Sequence, residues 1–404
     1  MNVLVFNCGS SSLKYKLLSM PDGKMLAGGE AQRVGPKTAE PARILHRLNG
    51  VEEVHYFEMH DHGAAFERVM ELLRRDASLA PDALGHRVVH GGSWFGGHAV
   101  VDEKALADLE KTLPLAPLHN PPAVNLLKAS KALYPDLPQV AVFDTAYHAT
   151  IPEYARRYAL SRQLTDEMGV RKYGFHGTSH QFVVGEAAKF LGLPVEKLNA
   201  VSCHLGSGGA SLCAVVGGKS VDNTMGYSPL QGLIMSTRSG DLDPAVTLNM
   251  LARAPGGAAA VEKTLNKNSG VLGMSGMSAD IRDVVARVNG ASPDPRLYMT
   301  QQTYLWRIRK YLGSYLAVVG HAHAIIFTDT IGETVPEVRW AVCSDMGVFG
   351  VKIDPERNRN VKTYPSDVAA DDSEVRILVI LTNEELAIAK FTYELLSAKA
   401  PATR

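Results

Sequence analysis

Long uninterrupted apolar runs are missing from this 404-residue chain; the most apolar stretch, residues 315–327, is broken by His321 and His323. A helix needs about 20 consecutive apolar residues to cross a bilayer, so no membrane span is expected. Cysteine is scarce: Cys8, Cys203, Cys213 and Cys343 lie far apart and never form a C-x-x-C pair. That spacing suggests neither a disulfide framework nor a structural zinc site, and it fits a reducing cytoplasm. Charge of one sign is missing too, because 42 Lys and Arg balance 42 Asp and Glu. Without a net field for a polyanion, nucleic acid and acidic lipid are not expected partners, and any phosphate site must be local. Residues 1–8 carry no basic segment ahead of their short apolar run, so no signal peptide is expected. What remains is 46% hydrophobic with 36 glycines, the composition of a globular enzyme of two or three domains at about 100–200 residues each.

Elements of one shape recur along the chain. Residues 3–6 and 13–18 are β-rich runs around a polar tip at 7–12, which predicts a hairpin. Ala200–Leu205 and Ala210–Val216 repeat that pattern around Gly206, Ser207, Gly208 and Gly209. Ala324–Thr328 leads into a third polar turn at 329–333, and residues 140–143 and 376–381 read as further short strands. Helical periodicity covers 63–75, 180–191 and 384–398, so the class is α/β. Small residues at a hairpin tip leave backbone N–H groups to an anion, although each tip alone is equally well a plain tight turn. The duplication favours phosphate, and Lys14, two residues beyond the first tip, adds a point charge suited to it.

Candidate chemical groups come from separate segments. Arg87 sits in a β-rich run that ends in Gly91 and Gly92, where its planar fork suits a carboxylate. Residues 115–122 are too proline-rich for a helix interior and too apolar for an exposed loop, so they are expected to line a small apolar pocket. Asp144 follows an apolar strand, at the end where α/β sheets place functional groups, as a partner of metal or Arg or as a turn cap. His176, between Phe175 and Gly177, can approach a ligand closely, and His180 is expected to open the next helix. Arg238 adds a second arginine among small polar residues. Two Arg, an Asp and His can neutralise a transferring phosphoryl group without a covalent nucleophile; they can equally bind a sugar phosphate without chemistry. Thr382 and Glu385 match a capping box, which leaves Glu384 to Mg²⁺.

Taken together and in order, residues 7–14, 86–92, 115–121, 143–146, 173–180, 237–241 and 382–386 resemble the signatures of the acetate kinase family over nearly the whole chain. The resemblance implies the actin-like ATPase fold, two ribonuclease-H-like domains around a central active-site cleft, as a homodimer. It implies a first domain of residues 1–150 plus 385–404 for the acyl and phosphate groups, and a second of 151–384 for the donor. The implied reaction is reversible transfer of the γ-phosphoryl of ATP to acetate, giving acetyl phosphate and ADP with Mg²⁺, or Mn²⁺ in its place.

By matching position, Arg87 and Arg238 would hold the carboxylate and the transition state, His176 the equatorial oxygens, and Asp144 would orient Arg or metal. Glu384 and Asn7 would serve the metal, and Ser10, Ser12 and Lys14 the phosphate path. Val89, Leu118, Phe175 and Pro229 would enclose the acyl methyl. His204, Gly206, Ser207 and Gly208 would form the second phosphate turn, with Asp280, Ile281 and Arg282 and then Thr330, Ile331 and Gly332 beside the nucleoside. Departures cluster on the donor side. Ser207 stands where the family has Asn, Thr330 adds a β-branched side chain where it has Gly, and Asn223, Gln231 and Ser236 are unusual. An Asp-led turn and the segment Met235, Ser236, Thr237, Arg238 echo a pyrophosphate-dependent branch. The alternatives are therefore a pyrophosphate donor, a propionate or butyrate kinase, and, from another class, a catalytically silent actin-like binding module.

Overall fold

Strand alternation builds the first core. In β1 (Asn2–Cys8), Leu4 and Phe6 point to one face and Val3 and Val5 to the other, and all four are buried. In this computed structural model, which describes residues 1–9, 11–35, 38–117, 119–290 and 294–399, the first face meets helix His62–Leu73 and the second meets helix Glu384–Lys399. β1 pairs antiparallel with β2 (Ser12–Ser19), and the sheet continues through β3 (Lys24–Gln32), β4 (Arg43–Leu48) and β5 (Val51–Tyr56). On its other side β1 runs parallel to β6 (Ala83–Val88); β7 (Ala99–Val100) forms the far edge, beyond β8 (Gln139–Phe143), which is parallel to β6.

The second sheet repeats this plan. β9 (Ala200–Leu205) pairs antiparallel with β10 (Ala210–Val216), which pairs with β11 (Lys219–Asn223). β9 is parallel to β12 (Ala324–Thr328); β13 (Ser366–Asp367) lies antiparallel at the edge of β14 (Arg376–Val379), itself parallel to β12. Thus β3-β2-β1-β6-β8 and β11-β10-β9-β12-β14 share one order and one set of directions. Ala324, Ile326 and Leu378 pack against Val183, Val184 and Ala187 of helix Gly177–Phe190, while helix Pro295–Val319 packs on β9 and β10. No helix among the described residues is long and apolar enough to cross a membrane.

Two compact units result, Met1–Ala146 with the residues from Asn383 onward, and Tyr147–Thr382. The boundaries lie a few positions before those drawn from sequence at 150 and 384. Helix Glu384–Lys399 packs on β1, β6 and β8, so Glu384 belongs to the first unit, and Tyr147 joins the core of the second. Three local expectations are corrected. Residues 329–333 form a helix, Asp329–Thr334, rather than an open turn, because its polar side chains are spent on its own backbone. Its leading residue, Asp329, has φ +62°. The cap of the C-terminal helix is Asn383, whose Oδ1 accepts from Leu386 N at 3.1 Å; Thr382 Oγ1 instead meets Ser179 Oγ at 2.9 Å, and Glu385 pairs with Lys16 at 3.0 Å. His180 does not open its helix; the helix begins at Gly177, with His176 at the N-cap position.

Candidate active site

In the first unit, the polar groups gather where the parallel strands β1, β6 and β8 end, the usual position for function in an α/β sheet. Phe6 lies opposite His86 in register, which sets Asn7 next to Arg87, and Asp144 follows β8 directly. The Arg87 guanidinium donates from Nε to Asp144 Oδ1 at 3.2 Å and from Nη2 to Oδ2 at 2.6 Å, a bidentate fork, and from Nη1 to Asn7 Oδ1 at 3.2 Å. Glu384 Oε2 stands 3.9 Å from Arg87 Nε, an ion-pair distance rather than a hydrogen bond. Burial by itself would weaken the positive charge of Arg87, but the carboxylates of Asp144 and Glu384 outweigh it and keep the group firmly protonated.

These donors suit a hard divalent cation. Asp144, Asn7 and Glu384 all face Arg87, and their carboxylate and amide oxygens are of the type such an ion accepts. Among the described residues no cluster of three or more His, Cys, Asp or Glu is placed to hold an ion alone, so an ion bound here would need further ligands from outside the chain. The first tip is closed by Gly9 N donating to Ser12 O at 2.9 Å. Lys14 is exposed on β2, opposite Asn7 in register. Ser10 and Leu118 lie outside the described residues, and Val89 is half-buried just past β6. Asn120, buried at the start of helix Asn120–Leu133, brackets His90 through that residue's N–H (3.1 Å) and carbonyl (2.9 Å). Asn120 thus braces the loop after Arg87, a role its sequence did not reveal.

In the second unit, His204 on β9 and Asp329 after β12 occupy the corresponding strand ends. His204 Nε2 lies 3.0 Å from Asp329 Oδ2, and its ring packs at a tilt against His176 with centroids 4.2 Å apart. His176 has φ +58°, and its Nδ1 lies 2.9 Å from Ser211 Oγ. Arg238 donates from Nη1 to Pro229 O at 2.7 Å and from Nη2 to Gly208 O at 3.0 Å. Burial pulls its pKa down to about 10, and among the described residues no carboxylate pairs with it. Gly209 explains how the two groups converge: a Cβ there would stand 2.7 Å from Arg238 Nη2 and 3.3 Å from His176 Nε2. Sequence reasoning missed Gly209, although the run of glycines from 206 was its trace.

The remaining candidates divide. Pro229 meets Arg238 through its backbone carbonyl, Phe175 is fully covered inside the second unit, and Ser207 is exposed at the hairpin tip. Asp280 caps its own helix through Arg282 N at 2.9 Å and binds the Arg282 guanidinium, while Ile281 is buried; no bond joins these three to the turn at 204–209. Thr330 donates N–H (2.5 Å) and Oγ1–H (2.9 Å) to Asp329 Oδ1, and Ile331 is buried. Gly332 O accepts from Arg339 Nη1 at 2.8 Å. Arg339 is itself buried and was not visible as a site support in the sequence; nothing in its local pattern marks it. The unusual Ser236 bonds Gly208 O at 3.2 Å, so it shares an acceptor with Arg238.

The sequence pattern of this arrangement matches the acetokinase family model over residues 2–390. The chain belongs to the acetokinase family. An acetate kinase of Clostridium acetobutylicum is 43% identical over 401 residues, covering 98% of this chain and 99% of that one. Among solved structures, an acetate kinase of Porphyromonas gingivalis superposes with TM-score 0.90 at 37% identity, over 98% of this chain and 99% of that one. A propionate kinase of Francisella tularensis gives TM-score 0.88 at 36% identity, over 96% and 98%. The acetokinase assignment brings with it the two-domain actin-like ATPase fold that the repeated sheet order displays.

Proposed function

We propose that the chain catalyses reversible phosphoryl transfer between ATP and acetate, giving acetyl phosphate and ADP. The observation that carries this is Arg238, a half-buried guanidinium held beside His176 by carbonyl oxygens, with no carboxylate paired to it among the described residues. Such a cation can receive an anion without first breaking an ion pair. In the transfer, a carboxylate oxygen of acetate bonds to the γ-phosphorus as the bond to the bridging oxygen of ADP breaks. Arg238 and His176 donate to the equatorial oxygens as charge develops there. Arg87, its plane set by Asp144 and Asn7, orients the acetate carboxylate. Mg²⁺, or Mn²⁺ in its place, would be held by Glu384 and Asn7 and would neutralise phosphate charge.

Of the residues expected around the acyl methyl, Val89 is half-buried just past Arg87 in the first unit and is assigned to limit the length of the acid by volume. The first unit then carries the acyl and metal groups and the second the donor turns. The enzyme is placed in the cytoplasm on its balanced charge and sparse cysteines. It is assigned as a homodimer, supported by large exposed apolar side chains such as Leu248, Met299 and Trp306. Pyrophosphate is a second donor favoured by one observation: Thr330 bonds twice to Asp329 Oδ1 in the turn that the family resemblance sets beside a nucleoside, so that turn carries side chains where the family has glycine. Acetyl phosphate trapped as its hydroxamate, measured with ATP and pyrophosphate side by side, decides the donor. Silence with both donors would leave a binding module without catalysis.

A further inference from the structure

Asp329 has a role that neither turn geometry nor donor binding accounts for. Its φ of +62° is disfavoured for a residue bearing a Cβ, yet four bonds hold it there. Its N–H donates to Glu333 Oε1 at 2.8 Å, its Oδ1 accepts from Thr330 N at 2.5 Å and Thr330 Oγ1 at 2.9 Å, and its Oδ2 lies 3.0 Å from His204 Nε2. The carboxylate rests against Gly206, where any Cβ would collide with Oδ2. Every one of these features serves to bring one carboxylate oxygen to one ring nitrogen.

A carboxylate is an acceptor only, so His204 Nε2 carries its hydrogen toward Asp329. The other nitrogen, Nδ1, lies 2.9 Å from Ser179 Oγ, which in turn lies 2.9 Å from Thr382 Oγ1. Carboxylate, imidazole and hydroxyl in this order resemble a nucleophilic triad, but Ser179 is fully buried and no substrate can reach it. What His204 presents instead is its ring, tilted against that of His176 with centroids 4.2 Å apart and an interplanar angle of 33°. His180, buried and pinned by Ser202 and Ser211 at 2.9 Å each, backs the pair 6.0 Å from the His204 ring. Glu333 is turned to the amides of Asp329 and Thr382, and Arg238 faces His176 across Gly209.

We infer that Asp329 is a positioning residue: through His204 it fixes the tautomer and plane of a ring that serves as a rigid shelf for His176. This rests on the assignment of His176 and Arg238 to the transferring phosphoryl group. The test compares the full-length enzyme with Asp329→Ala and Asp329→Asn, measuring kcat and KM for acetate and donor, thermal melting, and the ring ¹⁵N spectrum of labelled histidines, with His204 assigned from His204→Gln. Both variants are expected to lose about 10- to 100-fold in kcat, the size of effect typical of residues that orient a functional group through another. KM for acetate should change by less than about 2-fold, because ground-state binding is untouched. The His204 signal should show hydrogen on Nε2 in the wild type and a redistributed tautomer in Asp329→Ala. A kcat of Asp329→Ala within about 2-fold of wild type, or an unchanged His204 tautomer in that variant, would overturn the inference. If the wild type is silent with both ATP and pyrophosphate, the functional assignment fails; the ring spectra still decide whether Asp329 sets the tautomer.

Discussion

Replacing Gly209 by Ala probes the convergence of His176 and Arg238 with one added methyl. The new Cβ would stand 2.7 Å from Arg238 Nη2 and 3.3 Å from His176 Nε2. An ordinary contact needs about 3.5 Å or more, so the guanidinium must retreat by most of an ångström while the imidazole shifts only slightly. Arg238 is fixed through 3.0 Å and 2.7 Å bonds to Gly208 O and Pro229 O, so retreat weakens at least one of them. Loss of one hydrogen bond to a charged group costs about 1.5–3 kcal/mol, or about 10- to 150-fold when it falls on the transition state. A misplacement near 1 Å has a similar effect, on the order of 100-fold. Gly209 has no left-handed φ, so Ala brings no backbone strain and the melting temperature should stay within about 2 °C of wild type. Steady-state kinetics with varied acetate and donor, run beside calorimetry, provide the assay. A variant with kcat/KM within about 2-fold of wild type and unchanged melting would refute the convergence of Arg238 and His176 on the reacting phosphoryl group.

Three further outcomes follow from the same geometry. Arg87→Ala leaves Asp144, 2% exposed, as a buried carboxylate stripped of its bidentate partner. Because Arg87 itself is 21% exposed and water can enter, a loss near the low end, about 3 kcal/mol, is expected in urea unfolding, and Asp144→Asn in the same chain should recover part of it. Asp329 gives an acid-side signature: burial alone would raise its pKa, but His204 and Thr330 outweigh that and hold the carboxyl well below the ordinary range. A depressed folded pKa stabilises above the unfolded value of about 4 and is lost as pH falls toward the folded value, so the urea-midpoint gap between wild type and Asp329→Asn should be full at neutral pH and begin to narrow only below about pH 4. Burial pushes the thiols of Cys8, Cys213 and Cys343 up to about 12 and that of Cys203 well above its usual value, so an aromatic disulfide reagent at pH 8 should label the native enzyme slowly and the denatured enzyme at all four.

Local chemistry made much of the protein legible in advance. The hairpins at β1–β2 and β9–β10 declared themselves because period-2 apolar runs flank small polar tips, a signal that needs only neighbours in sequence. Arg87, Asp144 and His176 stood out as charged or titratable residues near glycine or a strand end, and Arg238 as a charge among small polar residues. The helix at Asp329–Thr334 was hidden because its polar residues, which resemble an exposed turn, are spent on backbone groups inside the fold. Likewise, Asn383 rather than Thr382 caps the last helix because Thr382 is drawn to Ser179, 203 positions earlier in the chain.

By itself, the sequence determined the class, the repeated sheet plan and the identity of the charged groups, since periodicity and side-chain chemistry are properties of short segments. Only the tertiary structure decided which groups meet: Arg87 with Asp144, 57 positions apart, Asp329 with His204, and Arg238 with His176 above Gly209. Those pairings depend on strand register and on the space a missing Cβ leaves, and both exist only once the sheets have formed.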